Sequence, residues 1–141
     1  MTTNNRGNTV TEKKAAQLES REIADRLVVI AENHKAKNIA LYDLKNISML
    51  ADFFLVCSAN SEPHIRALSS HFDKDMRDLD LRPTHVDGSP ASRWIVVDYG
   101  VVVVHVFHPE MRDHYKLEEL WEKADLVYEG GGEDQKPLPV F

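Results

Sequence analysis

The sequence predicts an α/β domain, a mixed β-sheet of about five strands with helices packed on it, and three observations carry that reading. Residues 94–107, WIVVDYGVVVVHVF, place two β-branched apolar runs on either side of Tyr99-Gly100, the pattern of two antiparallel strands joined by a tight turn. Residues 52–59, DFFLVCSA, form a second apolar run that is too short for a helix. Two other segments repeat apolar residues at steps of three and four, the signature of helices that bury one face.

Taken in order, residues 1–10 are polar, rich in Thr and Asn and without periodicity, and are expected to be disordered. From about Thr11 the pattern changes. Ile23, Leu27, Ile30 and Ala31 recur at helical spacing, and His34, Lys35 and Lys37 gather where cations favour a helix end, so a helix is expected to run to about Lys35. Residues 38–44 read as a strand and 45–50 as a loop. The run 52–59 is expected to be a central strand. Asn60 and Ser61 then offer N-cap side chains, and Pro63 is tolerated in a first turn where its missing N–H costs nothing. Ile65, Leu68, Phe72, Met76 and Leu79 follow as one stripe, so a second helix is expected to end near Asp80, before Pro83.

Residues 84–86 suggest a short strand, and Asp87-Gly88-Ser89-Pro90 a turn into the hairpin. A turn centred on Tyr99-Gly100 sets Asp98 opposite Val101, Val96 opposite Val103 and Trp94 opposite His105. Trp94, Asp98 and His105 then share one face, while Tyr99 belongs to the other face or to the turn. The nearly continuous apolar character of both strands predicts cover by helices on both sides. His108-Pro109 is expected to break the second strand and open a loop to Tyr115. Leu117, Leu120, Trp121 and Ala124 suggest a short last helix. From Glu129 the chain reads EGGGEDQKPLPVF, which is expected to pack as neither element. The expected organisation is a disordered segment at 1–10, one domain over 11–128 and a flexible tail at 129–141.

The chain has 141 residues, enough for one domain that buries roughly two thirds of its unfolded surface without a staple. Its one cysteine, Cys57, cannot form an internal disulfide and lies in an apolar run; a reducing cytoplasm is the expected setting. No apolar run approaches the ~20 residues of a membrane span. The net charge of −6 repels phosphate backbones, so direct sequence-specific nucleic-acid binding is not expected, whereas a basic protein partner is favoured.

A search for catalytic constellations comes back empty. Asp78-Leu79-Asp80 and Asp73-Lys74-Asp75 have the D-x-D form, but on a helix residues two apart point about 200° apart and cannot chelate one ion. His105 and His108 fall on opposite faces of a strand. A thiol triad of Cys57, His105 and Asp98 fails on distance, since the expected pairing puts His105 ~13 Å from Asp98. No glycine-rich nucleotide fingerprint is present, and neither metal nor cofactor is expected. A cluster with binding character remains: Trp94, Asp98 and Tyr99, aromatic side chains beside one acid. The alternative is that Trp94 and Tyr99 fill the core.

Four motifs in order carry a resemblance: DFFLVCSANSEPHI at 52–65, HVDG at 85–88, WIVVDYGVVVVHVF at 94–107, and R-x-x-Y-x-L-E-x-L-W at 112–121. Together they resemble the ribosomal silencing factor family, RsfS or Iojap, over about 23–126. The resemblance implies a nucleotidyltransferase-like shape without catalytic residues, and a non-enzymatic binder of the large ribosomal subunit. It implies docking on a basic protein, the universal large-subunit ribosomal protein fourteen, which hinders joining with the small subunit and represses translation when nutrients are scarce. It also implies a homodimer when free. By position, Trp94, Asp98, Tyr99 and Gly100 match the family's hairpin docking positions, and Arg112 and Tyr115 its following motif. Ala59, Pro63 and Val101 depart from the family pattern, and Val101 stands where an acidic contact is common. The competing reading is a nucleotidyltransferase-like nucleotide binder or enzyme.

Overall fold

The computed structural model describes residues 18–115 and 123–131, with residues 113–115 described by their backbone alone. The elements are α1 (Ser20–Asn33), β1 (Lys37–Asp43), β2 (Phe53–Ser58), α2 (Glu62–Arg77), β3 (His85–Ser89), β4 (Trp94–Asp98), β5 (Val102–Phe107), α3 (Pro109–Tyr115) and β6 (Asp125–Gly130). The expectations for residues 1–17, for the last helix at Leu117, Leu120 and Trp121, and for 132–141 fall outside the described residues.

The strands form one six-stranded sheet in the order β3-β4-β5-β2-β1-β6. Only the β2–β5 pair is parallel, running from Phe53↔Val102 to Ser58↔Phe107. Such a pair needs a crossover, and α2 leaves β2 to supply it. Its start follows the sequence signals. Ser61 caps the helix by accepting the His64 N–H, and Pro63 occupies the first turn. Ile65, Leu68, Phe72 and Met76 are fully buried beneath it, with Leu79 against the same cluster.

α1 lies beside α2, its Ile23, Ala24, Leu27 and Ala31 in that core with Leu41, Phe53, Leu55, Cys57, Ile95, Val97, Val104 and Val106. The opposite sheet face carries a second, smaller cluster, Val56 and Phe107 with Tyr42, Phe54, Trp94, Met111 and Ala124. Among the described residues α1 and α2 cover one face, and Met111 of α3 packs against the cluster on the other. Along β4 burial alternates: Ile95 and Val97 are buried against the helices, while Trp94, Val96 and Asp98 are half-buried on the other face.

The hairpin register also differs. Asp98 faces Val103, Val96 faces His105 and Trp94 faces Phe107, two residues beyond the expected pairing. A two-residue turn needs glycine first or positive φ at both central positions, and Tyr99 supplies neither. The chain takes a longer loop instead. Gly100 adopts φ +87°, Tyr99 N–H donates to the Val102 carbonyl, and the Asp98 carboxylate accepts the Gly100 N–H at 2.7 Å. A shift of two preserves the alternation, so Trp94, Asp98 and His105 share a face as expected.

Three further expectations are corrected. The turn expected at 87–90 is in part strand, because β3 extends to Ser89 and pairs Ser89 with Trp94. The loop expected after His108-Pro109 is α3. Proline there opens a helix, and His108 Nδ1 accepts the Glu110 N–H. Glu129 and Gly130, expected in the tail, complete β6 on β1, pairing with Ala40 and Ile39.

Gly88 has a specific reason to be glycine. Its φ is +82°, and a Cβ there would meet the Trp94 carbonyl oxygen at 2.0 Å. Gly88→Ala is expected to destabilise the β3–β4 pair by about 2 kcal/mol or more. Urea unfolding checks this, and an unchanged midpoint would contradict it.

Candidate functional site

The half-buried sheet face is where the binding candidates collect. From β4 it presents Trp94, Val96 and Asp98, and from β5 Val103 and His105. Phe54 pairs with Val103 and with Tyr42, and Tyr42 pairs with Leu126, which is 48% exposed. An apolar band with aromatic members thus crosses five strands, and Met111 and Ala124 pack against it. The sequence did not reveal Phe54, Tyr42 or Leu126 as members. Their signal was the alternation within FFLVCS and the Tyr42 interruption of β1, but the sheet order had to be known to align them.

Within the band Trp94 is anchored, with ring centroids 5.0 Å from Phe107 and 6.3 Å from His105. Its Nε1–H donates to His105 Nδ1 at 3.4 Å. His105 also meets Phe54 edge-on at 5.0 Å and stacks on Phe107 at 5.8 Å. Burial pushes the His105 pKa down to about 4, and the Asp98 charge opposes that shift only in part. A neutral ring, able to accept from Trp94, is the form the fold selects.

This has a pH consequence. The unfolded chain protonates His105 near its ordinary 6.5 while the folded chain resists until about 4. Stability is therefore complete above pH 6.5 and falls as pH drops through that window, by about 3 kcal/mol in all. Denaturant unfolding at pH 7.5 and 4.5 measures it. His105→Gln is expected to flatten that dependence by most of this amount, and an equal slope in both proteins would contradict it.

The remaining predicted site residues are dispersed. Tyr99 turns to the helix side and is buried in the main core. Burial, helped by the nearby Asp73 charge, pushes its phenol pKa upward. Gly100 provides the turn, and a Cβ there would meet nothing within 4 Å. Arg112 straps α3 to the sheet, donating to the Asn38 carbonyl at 2.7 Å and to Ser58 Oγ at 3.0 Å. Asn38 takes positive φ where the β1–β2 register shifts, and that irregularity frees its carbonyl for the guanidinium. Tyr115 closes α3, and its side chain is outside the described residues.

The thiol triad fails in the structure for a different reason from the one expected. His105 faces Val96, diagonal to Asp98 at a typical ~7 Å rather than ~13 Å away. Cys57, however, sits in the helix-side core, across the sheet from His105. Burial raises its thiol pKa to about 12 against the opposing Arg112 charge, so it carries no thiolate at neutral pH. Among the described residues no three His, Cys, Asp or Glu side chains are grouped to hold a metal ion, and no helix is long and apolar enough to cross a membrane.

The described residues thus define a mixed α/β domain with α1 and α2 on one sheet face and, on the other, an aromatic band against which Met111 of α3 packs. Residues 17–138 match the family model described as ribosomal silencing factor during starvation. The ribosomal silencing factor RsfS of Halalkalibacterium halodurans is 34% identical over 110 residues, covering 78% of this chain and 94% of that one. A mouse protein named mitochondrial assembly of ribosomal large subunit protein 1 is 30% identical over 100 residues, covering 69% of this chain and 44% of its own length. A crystal structure of a Chromobacterium violaceum protein superposes with a TM-score of 0.71 at 27% identity, covering 82% of this chain and 98% of that one. The chain belongs to the ribosomal silencing factor family, whose members are ribosome-associated regulators of translation.

Proposed function

We propose that the protein binds the large ribosomal subunit through the half-buried sheet face and acts without catalysis. Docking is on a basic ribosomal protein, the universal large-subunit ribosomal protein fourteen, in the cytoplasm. Occupying that protein blocks joining with the small subunit and lowers translation when nutrients are scarce. The free protein is a homodimer, an association that the same half-buried apolar band favours.

The observation that carries the reading is the placement of Asp98 beside the band of Trp94, Val96, Val103, Phe54 and Tyr42. Interface energy concentrates in aromatic anchors next to a few polar groups, and an acid suits a basic partner. The net charge of −6 steers in the same direction. The mouse relative's name links a similar chain to the large subunit.

The test is sedimentation with purified large subunits, followed by addition of small subunits. The parent is expected to co-sediment and to lower the yield of joined ribosomes. Asp98→Asn retains an oxygen for the Gly100 N–H and removes only the charge, so its binding is expected to be weaker and less salt-dependent. Normal joining in the presence of saturating protein would refute the reading.

A further inference from the structure

On the opposite side of the molecule from the sheet face, α1 and α2 leave an open groove of about 530 Å³ between them. Its α1 wall runs from Glu22 to Asn33, about 16 Å or three helical turns. The apolar part is Val29 with Ile30, Met76 and Leu79. Val29 is 55% exposed in the middle of a helix. A β-branched side chain there gains nothing from burial within this chain and is a poorer helix former than the polar alternatives.

The rim is acidic. Glu22 and Asp25 stand on α1 and Asp75 and Asp78 on α2, against Arg26 as the cation in the lining. Asp25 also holds Arg21 at 2.9 Å, and Asp75 lies 3.9 Å from His34 Nε2, so the rim is organised as well as negative. Both walls are helices whose backbone groups are bonded internally, so the groove offers side chains and no strand edge for an extended peptide to pair with. A second copy of this acidic chain would meet like charge there.

We propose that this groove is a second protein-docking site, and that its occupant is a cationic amphipathic helix of about three turns, laying aliphatic side chains on Val29 and Leu79 and cations along the carboxylate rim. The inference is independent of the sheet-face reading, because the two surfaces lie on opposite sides of the sheet.

The test uses the full chain and a fluorescein-labelled 14-residue helix of Lys and Leu at helical spacing, read by anisotropy. Saturable one-to-one binding is expected, with a scrambled peptide of the same composition at least tenfold weaker. Val29→Glu, an exposed substitution, is expected to weaken binding at least tenfold, and Asp78→Lys similarly. Asp125→Lys, the same charge reversal on β6, is expected to change it less than twofold. The proposal is overturned if no saturable binding is seen, if the scrambled peptide binds as well, if Val29→Glu has no effect, or if Asp125→Lys weakens binding as much as Asp78→Lys.

Discussion

Trp94→Ala is expected to leave the chain folded and to weaken its binding to large ribosomal subunits at least thirtyfold. The side chain is half-buried at the edge of the aromatic cluster, against Phe107 and His105, so part of its surface is already spent on the fold. What remains lies at the β4 end of the apolar band, and truncation of an aromatic interface anchor costs about 2 kcal/mol or more of binding. Melting by circular dichroism separates the two roles, and co-sedimentation measures the second. Loss of the fold would make Trp94 a core residue, and full retention of binding would remove it from the interface.

Tyr99→Ala is expected to act the other way, on stability. Tyr99 is buried among the residues beneath α1 and α2, and deleting a buried ring costs about 3 to 5 kcal/mol through lost contacts and the cavity left behind. For a domain of this size that lowers the melting midpoint by roughly 10 °C or more. Tyr99→Phe supplies the control. The Tyr99 hydroxyl is buried and has no hydrogen-bond partner among the described residues, so removing it is expected to leave stability unchanged or raise it. A Tyr99→Ala protein as stable as the parent, or a Tyr99→Phe protein markedly less stable, would contradict the buried placement.

Much of the fold was legible in the sequence where local chemistry decides it. Ser61, Pro63 and the stripe from Ile65 to Met76 located α2 within a residue or two because cap, first-turn proline and periodicity agree. The shared face of Trp94, Asp98 and His105 survived a wrong register because the error was two residues and side chains alternate. Local signals misled where they had two meanings. Pro109 ends β5 and also begins α3, and Glu129 and Gly130 join β6 through pairing with β1, beyond the Val127 and Tyr128 that pack on the core.

The site was less legible than the fold for the same reason. Trp94 and Asp98 sit on one strand and could be found together, whereas Phe54, Tyr42 and Leu126 join them only through the order β4-β5-β2-β1-β6, a long-range property. Arg112 read as a contact residue, and its bonds to Ser58 and to Asn38, at an irregularity 74 residues away, could not be seen in the sequence.

The half-buried sheet face is proposed as the surface in contact with the large subunit. Placing a photo-crosslinking amino acid at Val96, and separately at Arg66 on the exposed side of α2, tests it directly when each protein is irradiated with purified large subunits and the adducts are identified by mass spectrometry. An adduct is expected from position 96 to one basic ribosomal protein, the universal large-subunit protein fourteen, and little from position 66. An adduct from position 66 with none from position 96 would contradict it.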